Sequence, residues 1–154
     1  MIYDIAVIGG GAAGAMAAIR AAQLGRKVVL IERNDSIGKK ILITGKGRCN
    51  ITNMASLDDF LKKFGRSGNF LRTAFTRFFN EDLIAFFRSG GLDLKTERQN
   101  RVFPADDSAK SVVAVLRSEL ARAGVDVRYG MRVKRAELKS GIFYLETEEG
   151  HPVQ

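Results

Sequence analysis

The sequence predicts an α/β fold: a parallel sheet covered by helices, with an antiparallel hairpin or meander added to it. Three observations predict it. A short apolar run at residues 3–8 leads straight into three consecutive glycines. An alanine-rich stretch follows, and then a second apolar run at residues 28–32. Beyond these, helix-period and strand-period segments alternate to the C-terminal end. At 154 residues the chain can bury about 70% of its unfolded surface, enough for a proper core.

Residues 3–8, YDIAVI, read as a strand buried on both faces, because an uninterrupted apolar run lacks a polar side to turn to water. Residues 12–24 are rich in alanine, the best helix former, and Gly25 stands where a left-handed C-terminal cap belongs. Residues 28–32, VVLIE, form a second buried strand, so the first 32 residues spell a βαβ unit. Residues 34–53 show little periodicity, and a connection of that length in a compact domain is functional or disordered. Ser56 and Asp59 resemble a capping box that opens a short helix. Residues 70–79 and 81–88 are helical by apolar spacing, with Asn80 the expected N-cap between them and Gly90-Gly91 the stop. Residues 92–97 and 101–103 pair about Gln99-Asn100, after which Pro104 breaks the ladder. Ser108 caps a helix over residues 109–123 that Gly124 ends, residues 125–129 give a third parallel strand, and residues 131–138 and 142–147 form a hairpin about Ser140-Gly141.

Composition removes several classes of function. One cysteine allows no internal disulfide, and one histidine, His151, leaves no cluster of soft metal ligands. No apolar run approaches the roughly 20 residues that cross a bilayer, and the N-terminus lacks a basic leader, so a cytoplasmic protein without membrane contact is expected. The net charge is +8, and residues 36–80 carry nine lysines and arginines against Asp58 and Asp59. Such a segment calls for an anion or merely solvates itself.

Gly9-x-Gly11-x-x-Gly14 follows a strand and opens a helix, and Glu32 trails it at the end of the next strand. Each position has a task in holding a dinucleotide. Gly9 permits the tight turn, Gly11 lets the backbone approach a pyrophosphate, and Gly14 lets helix press on strand. Ala12 and Ala13 fall in the first turn, where unpaired N–H groups and the positive end of the helix dipole favour an anion. Glu32, with Arg33 beside it, can accept from the hydroxyls of an adenosine ribose, and its charge disfavours the 2′-phosphate of NADP. NAD and FAD share the ADP half, so the fingerprint alone leaves both open.

The stretch ITGKGRCN at residues 43–50 does not have the spacing of a P-loop. Together with VIGGGAAGAMAAIRAAQLGRKVVLIER and the later ERQNRVFP, the segment GKKILITGKGRCNITN resembles the bacterial NAD(P)/FAD-dependent oxidoreductases of the BaiN or aminoacetone-oxidase type, flavoproteins of the glutathione-reductase-like FAD fold. The resemblance covers essentially the whole chain. It implies a Rossmann-like three-layer FAD-binding domain over residues 1–154, with a helical excursion at 54–91 and non-covalent FAD, and it leaves NAD(P)H open as electron donor. It further implies that Gly45, Gly47, Arg48, Cys49, Asn50 and Thr52 lie along FAD between pyrophosphate and isoalloxazine. Lys39, Lys40, Lys46 and Arg48 can offset phosphate charge, and backbone around Arg132 and Val133 would receive the adenine. The cations flanking Cys49 could lower its thiol pKa, but without a second cysteine a packing or flavin-contact role is favoured over catalysis.

Members of that family are much longer than this chain. Their substrate domain and the C-terminal segment that completes the flavin site have no counterpart here, so the domain is expected to be incomplete at its C-terminus. A small-molecule substrate would bind the missing domain, the present piece alone is expected to be inactive, and no catalytic acid, base or nucleophile constellation is legible. Two other readings stay open: an NAD-binding dehydrogenase module, and a basic nucleic-acid-binding module. In the latter Phe60, Phe64, Phe70, Phe75, Phe78 and Phe79 would interleave with the cations of residues 36–80. Helical spacing favours core packing for these rings, which makes nucleic acid the weaker reading. Substrate, direction of electron flow and oligomeric state are not legible.

Overall fold

The computed structural model describes residues 2–148 and 150, so His151 lies outside the described residues. The elements in chain order are β1 (Ile5–Ile8), α1 (Ala12–Gln23), β2 (Val28–Ile31), α2 (Lys39–Ile43), β3 (Thr52–Asn53), α3 (Leu57–Lys62), α4 (Gly68–Phe75), α5 (Asn80–Ser89), β4 (Leu94–Glu97), β5 (Arg101–Pro104), α6 (Ala109–Arg122), β6 (Asp126–Arg128), β7 (Val133–Lys139) and β8 (Ile142–Thr147). They divide into two compact units, residues 1–41 with 116–154 and residues 42–115. No helix among the described residues is long and apolar enough to cross a membrane.

The first unit is a three-layer α/β sandwich. Its parallel sheet has the order β1-β2-β6, with Val7 opposite Leu30 and Ile31 opposite Arg128. Residues alternate between the faces of a strand, and β2 uses both. Val29 and Ile31 pack with Leu145 of β8 and with Tyr3, Met131 and Val133, which lays the β7–β8 ribbon on that face. Val7, on the opposite face, comes up beneath the first turn of α1 at Gly14. The helix closes that side with Ala15, Ala18 and Ile19. Gly25, at φ +78°, ends α1 as expected, its N–H donating to the Ala22 carbonyl at 2.9 Å. The β7–β8 turn likewise has Ser140 and Gly141 both at positive φ, the backbone that a two-residue hairpin demands.

One expectation fails in this sheet. β2 is buried at all four positions, but β1 is largely exposed, with Ile5 at 38% and Ile8 at 57%. The apolar run reports strand propensity correctly. Burial depends on neighbours, and β1 has one ladder partner where β2 has two.

The second unit carries the antiparallel sheet β3-β5-β4 and the helices α3, α4 and α5. Ser56 caps α3, accepting from the Asp59 N–H at 3.2 Å. The aperiodic reading of residues 34–53 is corrected: α2, a 3-10 turn at Thr44–Gly47 and β3 form within it. These pieces are too short to display a period. Asn80 is not the N-cap of α5. Phe79 is, with its N–H held by Asp82 at 2.8 Å, while the buried Asn80 amide donates to the carbonyls of Asn53 (2.9 Å) and Ala55 (3.1 Å). Pro104 does not break the ladder either. It ends β5 opposite Leu94, beyond the reach of β3, so a missing N–H on that side leaves no acceptor unsatisfied.

Candidate functional site

The loop between β1 and α1 is built from three glycines with three different jobs. Gly9 has φ +100°, a conformation that L side chains rarely adopt. At Gly14 an added Cβ would sit 2.0 Å from the Gly9 carbonyl oxygen, so the helix reaches the strand only because this position has no side chain. At Gly11 a Cβ would meet no protein atom within 4 Å: the space over the helix end is open. No side chain caps α1 and no acid stands in its first turn, so the N–H groups of its first turn, at Ala12 and Ala13, have no capping acceptor.

Gly10, to which the fingerprint assigns nothing, is equally constrained. Its Cβ would lie 2.6 Å from Cγ2 of the fully buried Ile37, and its N–H donates to Glu32 Oε2 at 2.7 Å. The other Glu32 oxygen accepts from the Asn34 backbone N–H at 2.8 Å and from the Asn34 side-chain amide. Glu32 is 7% exposed. Burial alone would push its carboxyl up, but the N–H donors of Asn34 and Gly10 outweigh that, and Arg33 adds to them. The acid is held below the usual carboxylate range. Three N–H donors against about four lone-pair sites leave room for about one more donor, and a second becomes possible if the Asn34 side chain turns away.

Around this centre lies a cleft of about 510 Å³ lined by Gly9, Gly10, Gly11, Glu32, Arg33, Asn34, Gly38, Lys39, Lys40, Met131, Arg132 and Val133, floored by Ile8 and Ile31. Eight residues named from the sequence thus meet in one place: Gly9, Gly11, Glu32, Arg33, Lys39, Lys40, Arg132 and Val133. Backbone ties hold the walls. Gly38 donates to the Gly10 carbonyl at 2.8 Å, Met131 to Glu32 at 3.1 Å and Gly130 to Asn34 at 3.0 Å. Lys39 pairs with Asp35 at 3.2 Å on the surface, and Arg132 leans toward Glu148 at 3.7 Å while its carbonyl accepts the Glu148 N–H at 2.9 Å. Sequence reasoning missed Gly10, Asn34, Gly38 and Met131. Of these only Gly10 left a trace, as the middle member of a glycine triplet.

The remaining named residues belong to the second unit. Gly45, Lys46, Gly47 and Cys49 all have positive φ, a sharply coiled backbone. Arg48 secures it: Nε donates to Asp107 Oδ1 at 2.8 Å, Nη2 reaches Asp107 and Glu97, and the guanidinium lies 4.4 Å over the Phe103 ring. Lys95 completes the network on Asp107 at 2.6 Å. Its charge is therefore met by carboxylates of its own unit. Asn50, with its amide nitrogen turned to donate, reaches the carbonyls of Val102 (3.2 Å) and Thr52 (3.0 Å), and Thr52 pairs with Val102 in the sheet. Cys49 is 8% exposed, and burial pushes its thiol up despite a hydrogen bond from Thr44, so the cationic neighbours do not activate it. No group of three potential metal ligands occurs among the described residues.

Residues 3–154 match the HI0933-like protein Rossmann domain. The chain is 38% identical over 146 residues to a 3-dehydro-bile acid delta(4,6)-reductase of Clostridium scindens, covering 94% of this chain and 35% of that protein. It is 34% identical over 127 residues to a ribosomal RNA dihydrouridine synthase of Escherichia coli, covering 82% of this chain and 31% of that one. The chain spans about a third of the length of the curated relatives it matches. Among solved structures it resembles a 3-ketosteroid-delta4-(5alpha)-dehydrogenase of Rhodococcus jostii (TM-score 0.70, 16% identity, 98% of this chain and 43% of that one). It also resembles a flavocytochrome c3 fumarate reductase (TM-score 0.70, 19% identity, 99% and 31%). At these identities the likeness is one of fold.

Proposed function

The chain belongs to the HI0933-like Rossmann-domain family, and from that premise we propose that it is the FAD-binding portion of a longer flavin-dependent oxidoreductase. One observation carries the reading: an open helix N-terminus, a glycine with free space where its Cβ would point, and a buried carboxylate converge on one cleft. These features fit an ADP moiety. In this reading the N–H groups of Gly11, Ala12 and Ala13 take the pyrophosphate, and Lys39, Lys40 and Arg33 supply positive charge around it. Glu32 accepts one ribose hydroxyl as it stands and both once the Asn34 amide swings aside. The walls at Met131, Arg132 and Val133 border the adenine, where the Val133 backbone and the Arg132 side chain are the groups to consider, since the Arg132 carbonyl is already bonded. The coiled loop with Gly45, Gly47, Arg48, Cys49, Asn50 and Thr52 attends the flavin side, with Arg48 as its anchor.

Our finer reading keeps the BaiN or aminoacetone-oxidase type, supported by the 38% identity to the bile acid reductase. The substrates named for the relatives share a feature. A delta(4,6) 3-dehydro steroid and a uridine base each carry a carbon–carbon double bond conjugated to a carbonyl, and we propose reduction of such a bond as the reaction class of the complete protein. When bound and reduced, FAD would supply the hydride for such a bond, a proton completing the addition, with NAD(P)H the donor we propose for reducing the flavin. Residues 1–154 we read as one FAD-binding portion with the helices of 54–91 as an excursion. The substrate site lies outside the residues described here in this reading.

The test is optical. Purified protein should release free flavin into the supernatant on heat denaturation, and Glu32→Ala should cut retained flavin about tenfold, the effect of losing one hydrogen bond to a charged group of about 1.5 kcal/mol. A colourless protein that binds NAD more tightly than FAD would replace this reading with a nicotinamide dehydrogenase module.

A further inference from the structure

The basic, phenylalanine-rich stretch of the second unit does not take part in the cleft, and the structure sorts its rings into two groups. Phe60, Phe64, Phe75 and Phe79 pack on one another, with centroids 5.2 to 6.1 Å apart. Phe70 and Phe78 stand outside that cluster, and Phe70 is 88% exposed, the most exposed large apolar side chain described. An isolated exposed apolar residue needs no explanation, but the setting of this one does. Phe70, Ala74 and Arg77 fall at i, i+4 and i+7 on α4 and the turn that prolongs it, which puts them on one side. Arg66 lies four residues before Phe70, and both arginines are exposed.

The charge around this strip is unbalanced in a specific way. The only acids between residues 36 and 80 are Asp58 and Asp59, and each is already paired, Asp58 with Arg72 at 2.9 Å and Asp59 with Lys62 at 2.8 Å. Arg66 and Arg77 have no ion pair among the described residues. An exposed ring with an arginine that has no ion pair on either side of it along the chain suits a polyanion whose units also offer flat rings. Phosphates engage the arginines and a base stacks on the ring. An anionic lipid surface would want several adjacent apolar side chains to insert. On α4 the positions one before and three and four after Phe70 are Asn69, Thr73 and Ala74, so no second large apolar side chain adjoins it on that face of the helix.

We propose that the Arg66–Phe70–Arg77 strip is a contact surface for single-stranded RNA. It accords with the RNA branch of the substrate class proposed above and rests on that reading only for its biological sense, because the strip is independent of the flavin cleft. The probe is a fluorescein-labelled oligouridine of about 20 nucleotides, its anisotropy titrated with the purified protein from about 50 to about 200 mM KCl. Binding should weaken steeply with salt. Phe70→Ala should lower affinity about tenfold, and Arg66→Glu with Arg77→Glu should lower it and flatten the log–log salt slope by about 1.4. Circular dichroism and retained flavin should be unchanged in both variants, which separates failure of this surface from failure of the FAD reading. Absence of binding at the lowest salt, binding indifferent to Phe70→Ala, or capture by anionic phosphatidylserine vesicles in preference to the oligonucleotide would each overturn the proposal.

Discussion

Glu32 and Cys49 show how the environment of one residue settles its chemistry. Both are buried, and burial pushes both toward the neutral form, but only Glu32 has enough N–H donors to reverse it. The thiol therefore stays protonated through neutral pH. A thiol whose folded pKa is raised lends stability below its unfolded pKa and loses it as pH climbs through the folded value. Cys49 should react with an aromatic disulfide reagent far more slowly in the native protein than in denaturant, with the native rate rising only above the ordinary thiol range. Rapid native labelling at neutral pH would show an activated thiol and refute the packing role. Arg48 makes the companion point. A cation in a glycine loop suggests a phosphate ligand, yet Asp107 and Glu97 accept from its Nε and Nη2. Neither acid is near it in sequence.

At the scale of elements, the β1–α1 turn brings helix and strand into close contact. α1 meets β1 through Gly14 against the Gly9 carbonyl, and neither backbone can retreat without disturbing β2, which is buried along its whole length. Gly14→Ala should destabilise the protein by about 3 kcal/mol, the cost of an overpacked contact that the surroundings cannot absorb. A urea titration checks this, and an unchanged midpoint would mean that α1 slides freely. Gly25 and Gly124 show how legible such positions can be. A glycine placed just after a helix-period stretch signals a left-handed stop, and both take positive φ there.

For the whole molecule, charge sets the response to acid. Glu32, Asp35, Asp59, Asp106, Asp107 and Glu137 all have carboxyl pKa values held below the usual range by N–H, hydroxyl or cationic partners. A depressed folded pKa gives stability that is present above the unfolded value and lost as pH falls through the folded one. The protein should therefore be markedly easier to unfold in urea at about pH 3 than at pH 7, since unperturbed carboxyls titrate near 4. The net charge of +8 adds self-repulsion once those acids are neutralised. A urea midpoint independent of pH over that window would mean that these contacts do not persist in solution.

What could be read from the chain alone was the βαβ opening, the helix stops, the Ser56 cap, the hairpin at Ser140-Gly141 and the glycine-and-acid signature, because each is written in a contiguous run or a fixed spacing along the chain. What required the folded molecule was non-local. The exposure of β1 follows from how many strands flank it, the Gly10 contact of Glu32 from a distant loop closing over it, and the division of the phenylalanines from which helix face meets another helix. A period of 3.6 or 2 tells which residues share a side. Only the packing of distant segments decides what that side touches, and with it whether a charge is spent on the protein's own groups or left for a ligand.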